Sequence, residues 1–145
     1  MDLVRRVEIA QAVFDRFHNR PLRFCRCDCV RMFRYAMQLA RGADPAPRLQ
    51  YTERNALSVL RRRGWADLAE ALDAHGLQRI PLAMHLPADL VLIPSEMRNG
   101  EHDVGALGVC LGNDRALAFL DLEEGAGPRA YAAPVQPATV CWRLA

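Results

Sequence analysis

The residues best suited to chemistry lie in the segment FCRCDCVRMF (24–33), where Cys25, Cys27 and Cys29 alternate and Asp28 directly precedes Cys29. Aspartate is a favoured N-cap residue, so this pair predicts a helix that begins at Asp28 and holds Cys29 in its first turn. Free backbone N–H groups and the helix dipole stabilise a thiolate there. Cys29 is therefore a candidate nucleophile, although the same position also suits an inert cysteine packed on a core.

A cysteine nucleophile also needs a base within about 3 Å and a group that orients the base. His102 is the candidate base, although we expect it first to be a solvent-exposed loop residue, and Asp121, at the end of a predicted strand, is the candidate orienting residue. The other histidines, His18, His75 and His85, fall at a helix end, beside a helix-ending glycine and in a proline-flanked link. We expect them to be surface residues rather than ligands.

The alternation of Cys25, Cys27 and Cys29 has a second interpretation. In an extended segment their thiols would point to one side, as metal or iron–sulfur ligands do, with Cys110, Cys141 or a histidine as the fourth ligand. The spacing differs from the Cys-x-x-Cys pairs of common zinc sites, so we expect no cofactor. Cys110 and Cys141 are expected to be buried small hydrophobes, and all five thiols to be reduced.

Charge is distributed unevenly along the chain. Residues 1–63 carry 14 arginines against 6 acidic residues, a formal charge of +8, and residues 64–145 carry 5 against 11, a formal charge of −6. Five arginines surround the cysteine segment: Arg20, Arg23, Arg26, Arg31 and Arg34. They suit an interface with an acidic protein surface, or they form an ordinary solvated helix surface. No recognition helix or aromatic stacking pattern accompanies them, so we expect no nucleic-acid binding.

The elements that position these residues follow from hydrophobic spacing. A length of 145 residues predicts one domain, with a helical half at about 1–76 and an antiparallel strand half at about 79–145, an α+β class. The first helix begins at Asp2 and stops before Asn19, and further helices are predicted at 28–42, 52–63 and 66–75. The apolar stripe expected on the first helix is Leu3, Val7, Ala10, Phe14 and Phe17. Strands are predicted at 89–93, 104–111, 116–120, 129–133 and 139–144, with 43–50 and 95–103 as loops and a hairpin turn at 112–114.

No apolar run approaches the roughly 18 residues of a membrane span, and the charged residues of 1–10 do not fit a signal peptide. We therefore expect a protein made in the cytoplasm, without a signal peptide or a membrane span.

The order of these parts resembles the NlpC-type cysteine peptidases, which have a rearranged papain-like fold, and more closely a family of phage and prophage tail proteins related to them. The motifs that carry the resemblance are Phe24 with Asp28-Cys29, GADP at 42–45, GVCLG at 108–112 and Trp142-Arg143. Two positions depart from the peptidases. Arg26 and Cys27 replace a glycine before the Asp-Cys pair, and alignment of the peptidase His-Val-Gly-Ile strand places Ala106 where the catalytic histidine belongs.

The resemblance implies an NlpC-like domain in the distal tail or hub of a virion, bound to other tail or hub proteins. Because Ala106 replaces the base, we expect a structural subunit with a degenerate catalytic site. The alternative is an active cysteine peptidase or amidase that cuts peptidoglycan stem peptides with Cys29, His102 and Asp121. A third hypothesis is a metal-binding assembly factor that uses Cys25, Cys27 and Cys29.

Overall fold

The computed structural model describes residues 1–42, 55–94 and 105–145. Within these ranges four helices precede six strands, which confirms the α+β class. The helices are α1 (Leu3–Phe17), α2 (Cys29–Arg41), α3 (Ala56–Arg62) and α4 (Leu68–Ala74). The strands are β1 (Gln78–Ile80), β2 (Leu90–Ile93), β3 (Ala106–Gly112), β4 (Arg115–Leu120), β5 (Arg129–Pro134) and β6 (Val140–Arg143), with a 3-10 turn at Leu82–Met84. They form one sheet in the order β1-β6-β2-β3-β4-β5, and every paired neighbour is antiparallel.

Local sequence signals explain where several elements begin and turn. Asp2, Asp28 and Asp67 each cap a helix by accepting a hydrogen bond from the amide three residues later. The predicted hairpin between β3 and β4 is confirmed, because Asn113 and Asp114 have φ angles of 53° and 56°. Two consecutive left-handed residues are the geometry of a type I′ turn, which matches the twist of the strands that it joins.

The first helix presents a different face to the core from the one its apolar residues predict. Its buried residues are Arg6, Ile9, Ala10, Val13 and Phe17. Leu3 and Val7 of the predicted stripe are 58% and 51% exposed, so that part of the prediction is wrong. The reason is electrostatic, because a buried ion pair of Arg6 with Asp89 turns the arginine side of the helix inward.

The sheet has two different faces. Leu90, Leu107, Val109, Leu117 and Phe119 face the helices and pack with α1 and α2 in the main core. On the opposite face, the strand residues form a smaller apolar cluster: Val91, Ile93, Cys110, Ala116, Ala118 and Cys141. Leu82 of the 3-10 turn and Val135, which follows β5, pack against this second cluster. Strand alternation therefore decides which side chains of β3 can meet the helices.

The fully buried carboxylate of Asp89 joins elements that are distant in the sequence. It accepts hydrogen bonds from the side chains of Arg6 and Arg143, each at 2.8 Å, and from the amides of Leu86 at 2.9 Å and Leu144 at 3.1 Å. Arg6 also donates to the carbonyl of Pro87 at 3.3 Å. All four bonds to the carboxylate come from protein groups, so its burial is compensated.

Strand prediction from the sequence holds for five strands to within one or two residues and misses β1. This strand has only three residues, and it pairs with β6 through Gln78–Arg143, Arg79–Trp142 and Ile80–Cys141. The loops predicted at 43–50 and 95–103, the helix start predicted at Thr52 and the strand start predicted at Val104 lie outside the described residues. No helix in the described ranges combines the length and the apolar character that crossing a bilayer requires.

Candidate functional site

The N-terminus of α2 is organised by Asp28, whose side chain is 2% exposed. One carboxylate oxygen accepts a hydrogen bond from the amide of Arg31 at 2.9 Å, and the other accepts one from the amide of Cys25 at 2.7 Å. The Arg31 guanidinium lies 3.5 Å from the second oxygen. A single carboxylate therefore caps the helix and holds the preceding turn against it, as the Asp-Cys pair predicts for the helix start.

The segment before α2 is a tight turn rather than an extended strand. Arg23 and Cys27 exchange backbone hydrogen bonds of 2.8 Å in both directions, and Cys25 between them has a φ of 63°. Because the chain reverses here, the premise that the thiols of Cys25, Cys27 and Cys29 point to one side is wrong. Among the residues with described positions, no group of three or more cysteine, histidine or acidic side chains could hold a metal ion.

The Cys29 sulfur lies where β3 and β4 begin to separate. The Cys110 amide donates to the Asp89 carbonyl next to β2, so by alternation the amide of Leu107 points towards β4. The last pair of the β3–β4 register on this side is Val109–Leu117. Two residues before Val109, the Leu107 amide interacts with the Cys29 sulfur. The cysteine predicted to face the sheet therefore contacts the end of a β ladder.

Cys29 is half-buried as a residue, but its sulfur is desolvated, and this controls its protonation. Desolvation raises the pKa of its thiol to about 11, with a smaller contribution in the same direction from the negative charge of Asp28. The backbone N–H groups of Leu107, Cys29 and Val30 favour the thiolate, but they offset only part of the desolvation. Cys29 is consequently a neutral thiol at physiological pH, and a helix N-terminus alone does not activate it.

Strand register decides which β3 side chain faces Cys29. Ala106 pairs with Ile93, which belongs to the apolar cluster on the far side of the sheet, whereas Leu107 pairs with Leu92 and faces the helices. Position 106, where the family alignment sets the catalytic histidine, therefore points away from Cys29. An imidazole on β3 would have to stand at position 107, which is leucine.

The remaining members of the predicted triad are placed only in part. His102 lies outside the described residues. Asp121 is exposed just after β4. If the register of the Val109–Leu117 pair is extended along both strands, Asp121 falls opposite Gly105, at the same end of the sheet as Cys29. In the described part of the chain, the charged group that acts on the Cys29 sulfur is Asp28, and no imidazole contacts it.

The other histidines have structural partners. His18 stacks on Phe14 with ring centroids 4.3 Å apart. Nδ1 of His75 lies 2.6 Å from the carbonyl oxygen of Ala71, and Nδ1 of His85 lies 2.7 Å from that of Leu82. His75 and His85 are half-buried rather than on the surface as predicted. Their hydrogen bonds fit a structural role.

Cys110 and Cys141 are buried, as their sequence positions predict. Desolvation raises the pKa of the Cys110 thiol far above its usual range and that of Cys141 to about 11. Their strands, β3 and β6, lie on either side of β2, about 9 to 10 Å apart, which is too far for a disulfide.

The predicted arginine cluster divides into two groups. Arg31 pairs with Asp28, and Arg34 is half-buried, whereas Arg20, Arg23 and Arg26 are exposed. Two arginines that the sequence did not single out adjoin this group, the exposed Arg16 and the half-buried Arg129. Arg16 stacks over Tyr35 at 4.4 Å, and Arg129 donates to the carbonyl of Asn19 at 3.0 Å. We call Arg16, Arg20, Arg23, Arg26 and Arg129 the arginine strip.

Pairing explains why Arg129 joins this surface although it is 100 residues away in the sequence. The segment after α1 adds to the edge of β5, because the Asn19 amide donates to Ala130 at 2.8 Å and the Leu22 amide donates to Pro128 at 2.9 Å. Pro21 and Arg129 form an isolated antiparallel bridge. The non-local contact brings the side chain to the strip, and no sequence motif announces it.

Comparison with known proteins places the chain in a family without assigning a function. No curated protein and no solved structure matches it significantly. The model of one family, described as "Domain of unknown function (DUF6950)", matches residues 5–144. This match spans α1 through β6 and includes Asp28, Cys29, Asp89 and the arginine strip. The chain therefore belongs to the DUF6950 family.

Proposed function

We propose that this protein is a structural minor component of a phage or prophage-derived tail, in the distal tail or hub region, with an NlpC-like fold whose catalytic site is degenerate. The tail assignment rests on the family resemblance of the sequence motifs. The loss of catalysis rests on one observation, the neutral Cys29 thiol whose sulfur meets the Leu107 amide.

The geometry argues against catalysis through the requirements of thiol chemistry. A cysteine nucleophile attacks as the thiolate, which an adjacent imidazole or a lowered pKa normally supplies. Here burial raises the pKa of Cys29 to about 11, and the β3 side chain on its face is Leu107. A leucine cannot accept the thiol proton, so this arrangement favours a packed cysteine over a catalytic one.

Two measurements test the proposal. Mass spectrometry of purified, assembled tails should detect the protein at a fixed stoichiometry to the other tail subunits. Purified protein incubated with peptidoglycan fragments should release no new amine or cut stem peptide above the level of Cys29→Ala. Absence from the tails would refute the structural role, and turnover that disappears in Cys29→Ala would refute the degenerate site.

A cysteine peptidase acting on peptidoglycan stem peptides is the second candidate. Three backbone N–H groups interact with the Cys29 sulfur, and the helix dipole adds to them, so they would stabilise a thiolate once a base had removed the proton. Asp121 lies at the same end of the sheet. This candidate needs His102 as its base, so turnover that falls by about 10²-fold or more in His102→Ala would support it.

A further inference from the structure

We infer that the arginine strip, with Phe24, is a docking surface for a carboxylate-rich segment of another protein. The inference deepens the proposed function and rests on it for the identity of the partner as a neighbouring tail or hub subunit. The chemistry of the surface itself is argued from the fold.

The strip forms one surface around the link between α1 and α2. Arg20 and Arg23 both act electrostatically on the Cys27 sulfur, which places their charges near the same turn. Arg26 belongs to that turn, since its amide donates to the carbonyl of Arg23 at 3.0 Å. Arg129 joins through the Pro21 bridge, and Arg16 lies in the last turn of α1, four residues before Arg20 in the sequence. The five arginines therefore lie on the end of α1, on the link to α2 and on the β5 edge that pairs with this link.

The arginine strip differs from several other arginines of this protein in its lack of ion pairs within the described ranges. Arg6, Arg79 and Arg143 form ion pairs with Asp89 or Asp73 at 2.7–2.8 Å. Within the described ranges, no carboxylate forms an ion pair with any of the five strip arginines. Five like charges that form no ion pair within the described ranges create a positive potential, which an acidic partner would relieve.

The strip also has features of a protein interface. Guanidinium groups bind carboxylates through paired hydrogen bonds, and the stacking of Arg16 on Tyr35 holds its guanidinium in place before binding. Phe24 is 37% exposed at the tip of the turn between Arg23 and Arg26. An exposed aromatic side chain among arginines is the composition of interface hot spots.

Phosphate and nucleic acid fit this surface less well. A helix N-terminus binds phosphate through free amide groups, but Asp28 already occupies this one and adds a buried negative charge. Single-stranded nucleic acid also needs several aromatic platforms, and Phe24 is the exposed aromatic residue of the turn.

A second copy of the chain is a poor match as well. Glu123 and Glu124 lie on the turn after β4, at the same end of the sheet. With the exposed Asp121 they supply three negative charges against five positive ones, so a symmetric pair would still bring together two surfaces with a net positive charge. Like-charge repulsion disfavours that contact.

The test uses the full chain and a short fluorescein-labelled peptide rich in glutamate with one central leucine. Fluorescence anisotropy at about 0.15 M salt, where surface charges are partly screened, should detect binding. Arg20→Glu/Arg23→Glu/Arg26→Glu should weaken the affinity at least tenfold, or about 1.4 kcal/mol. The matched control is Arg61→Glu/Arg62→Glu/Arg63→Glu on exposed residues at the end of α3, which changes the net charge equally. It should alter the affinity by less than about threefold, or about 0.65 kcal/mol.

A second variant and two competitors complete the test. Phe24→Ala keeps all charges and should weaken binding about threefold or more through loss of the apolar contact. Equal weakening by the two charge-reversed variants would overturn the inference, as would failure of the wild type to bind the peptide. Tighter binding of a single-stranded oligonucleotide, effective competition by inorganic phosphate, or a dimer that dissociates when the strip is reversed would also overturn it. Absence of the protein from assembled tails would refute the proposed function and leave the peptide result unchanged.

Discussion

The protonation of Cys29 gives the sharpest prediction, because burial sets its pKa at about 11. At pH 7.5 about 3 in 10,000 of these side chains carry a thiolate, against about one in ten for a free cysteine with a pKa of about 8.5. The more basic thiolate is intrinsically more reactive by about tenfold, given a Brønsted coefficient of about 0.4–0.5. Cys29 should therefore attack a small uncharged disulfide about 20- to 30-fold more slowly than free cysteine.

The assay is a timed pulse of such a disulfide from pH 7 to pH 11, quenched with acid and followed by peptide mapping. Mass spectrometry separates modification of Cys29 from that of Cys25 and Cys27, and Cys29→Ala identifies the peptide. The rate at Cys29 should rise about tenfold for each pH unit up to about pH 10, because it follows the thiolate fraction. Poor access alone would slow the reaction at every pH, but the rate would stop rising near the ordinary cysteine pKa of about 8.5.

The result that refutes this reasoning is a Cys29 that reacts as fast as free cysteine at pH 7, with a rate nearly independent of pH. Such behaviour is typical of a thiolate paired with an imidazolium. If His102→Ala then restored the steep pH dependence, the peptidase alternative would replace the structural proposal.

Three further predictions concern stability. Asp89→Ala should lower the free energy of unfolding in urea by about 3–5 kcal/mol, because it leaves the buried Arg6 and the half-buried Arg143 without their carboxylate; Glu123→Ala, on an exposed turn, should change it by less than about 0.5 kcal/mol, and equal effects would contradict the role of Asp89. Asp73 accepts hydrogen bonds from Arg79 and Trp142, which lower the pKa of its carboxyl. Its contribution is present above the unfolded-state pKa of about 4 and is lost as pH falls through the lower folded-state pKa, so Asp73→Asn should cost about 0.2–1 kcal/mol at pH 7 and nothing in strong acid. Gly108→Val should lower the melting temperature by several degrees, about 2–8 °C, because a Cβ there meets the Leu117 carbonyl and Val91 at 3.2 Å; an unchanged melting temperature would show that the sheet relaxes.

Local signals in the sequence predict much of this fold. Aspartate caps, the glycine after α2 and the Asn113-Asp114 turn act within a few residues, so their geometry follows from the residue types alone. The alternation of β3 predicts a strand, but it cannot say which face meets the helices. The face that meets the helices depends on how β3 pairs with β2. Because of this pairing, residue 107 faces Cys29, and not residue 106 as the family alignment suggests.

Non-local contacts account for the rest. Arg6 has the character of a surface residue in the helical pattern of α1, and only the position of Asp89, 83 residues later, makes it a core residue. Cys29 is similar, because its predicted place at a helix N-terminus suggests a low pKa. Desolvation of its sulfur against β3, which the sequence does not reveal, raises the pKa instead.

The Asp89 cluster also bears on the order of folding. Its bonds join residues separated by 83, 54 and 55 positions, so they require the closure of long loops and the meeting of both ends of the chain. Interactions of this kind form after the rate-limiting barrier unless they belong to the folding nucleus. Asp89 would then act mainly on the rate of unfolding, holding the first helix and the last strand together against transient opening. Under the proposed structural role, such kinetic protection would matter more than fast folding, because the protein would have to persist in an assembled particle.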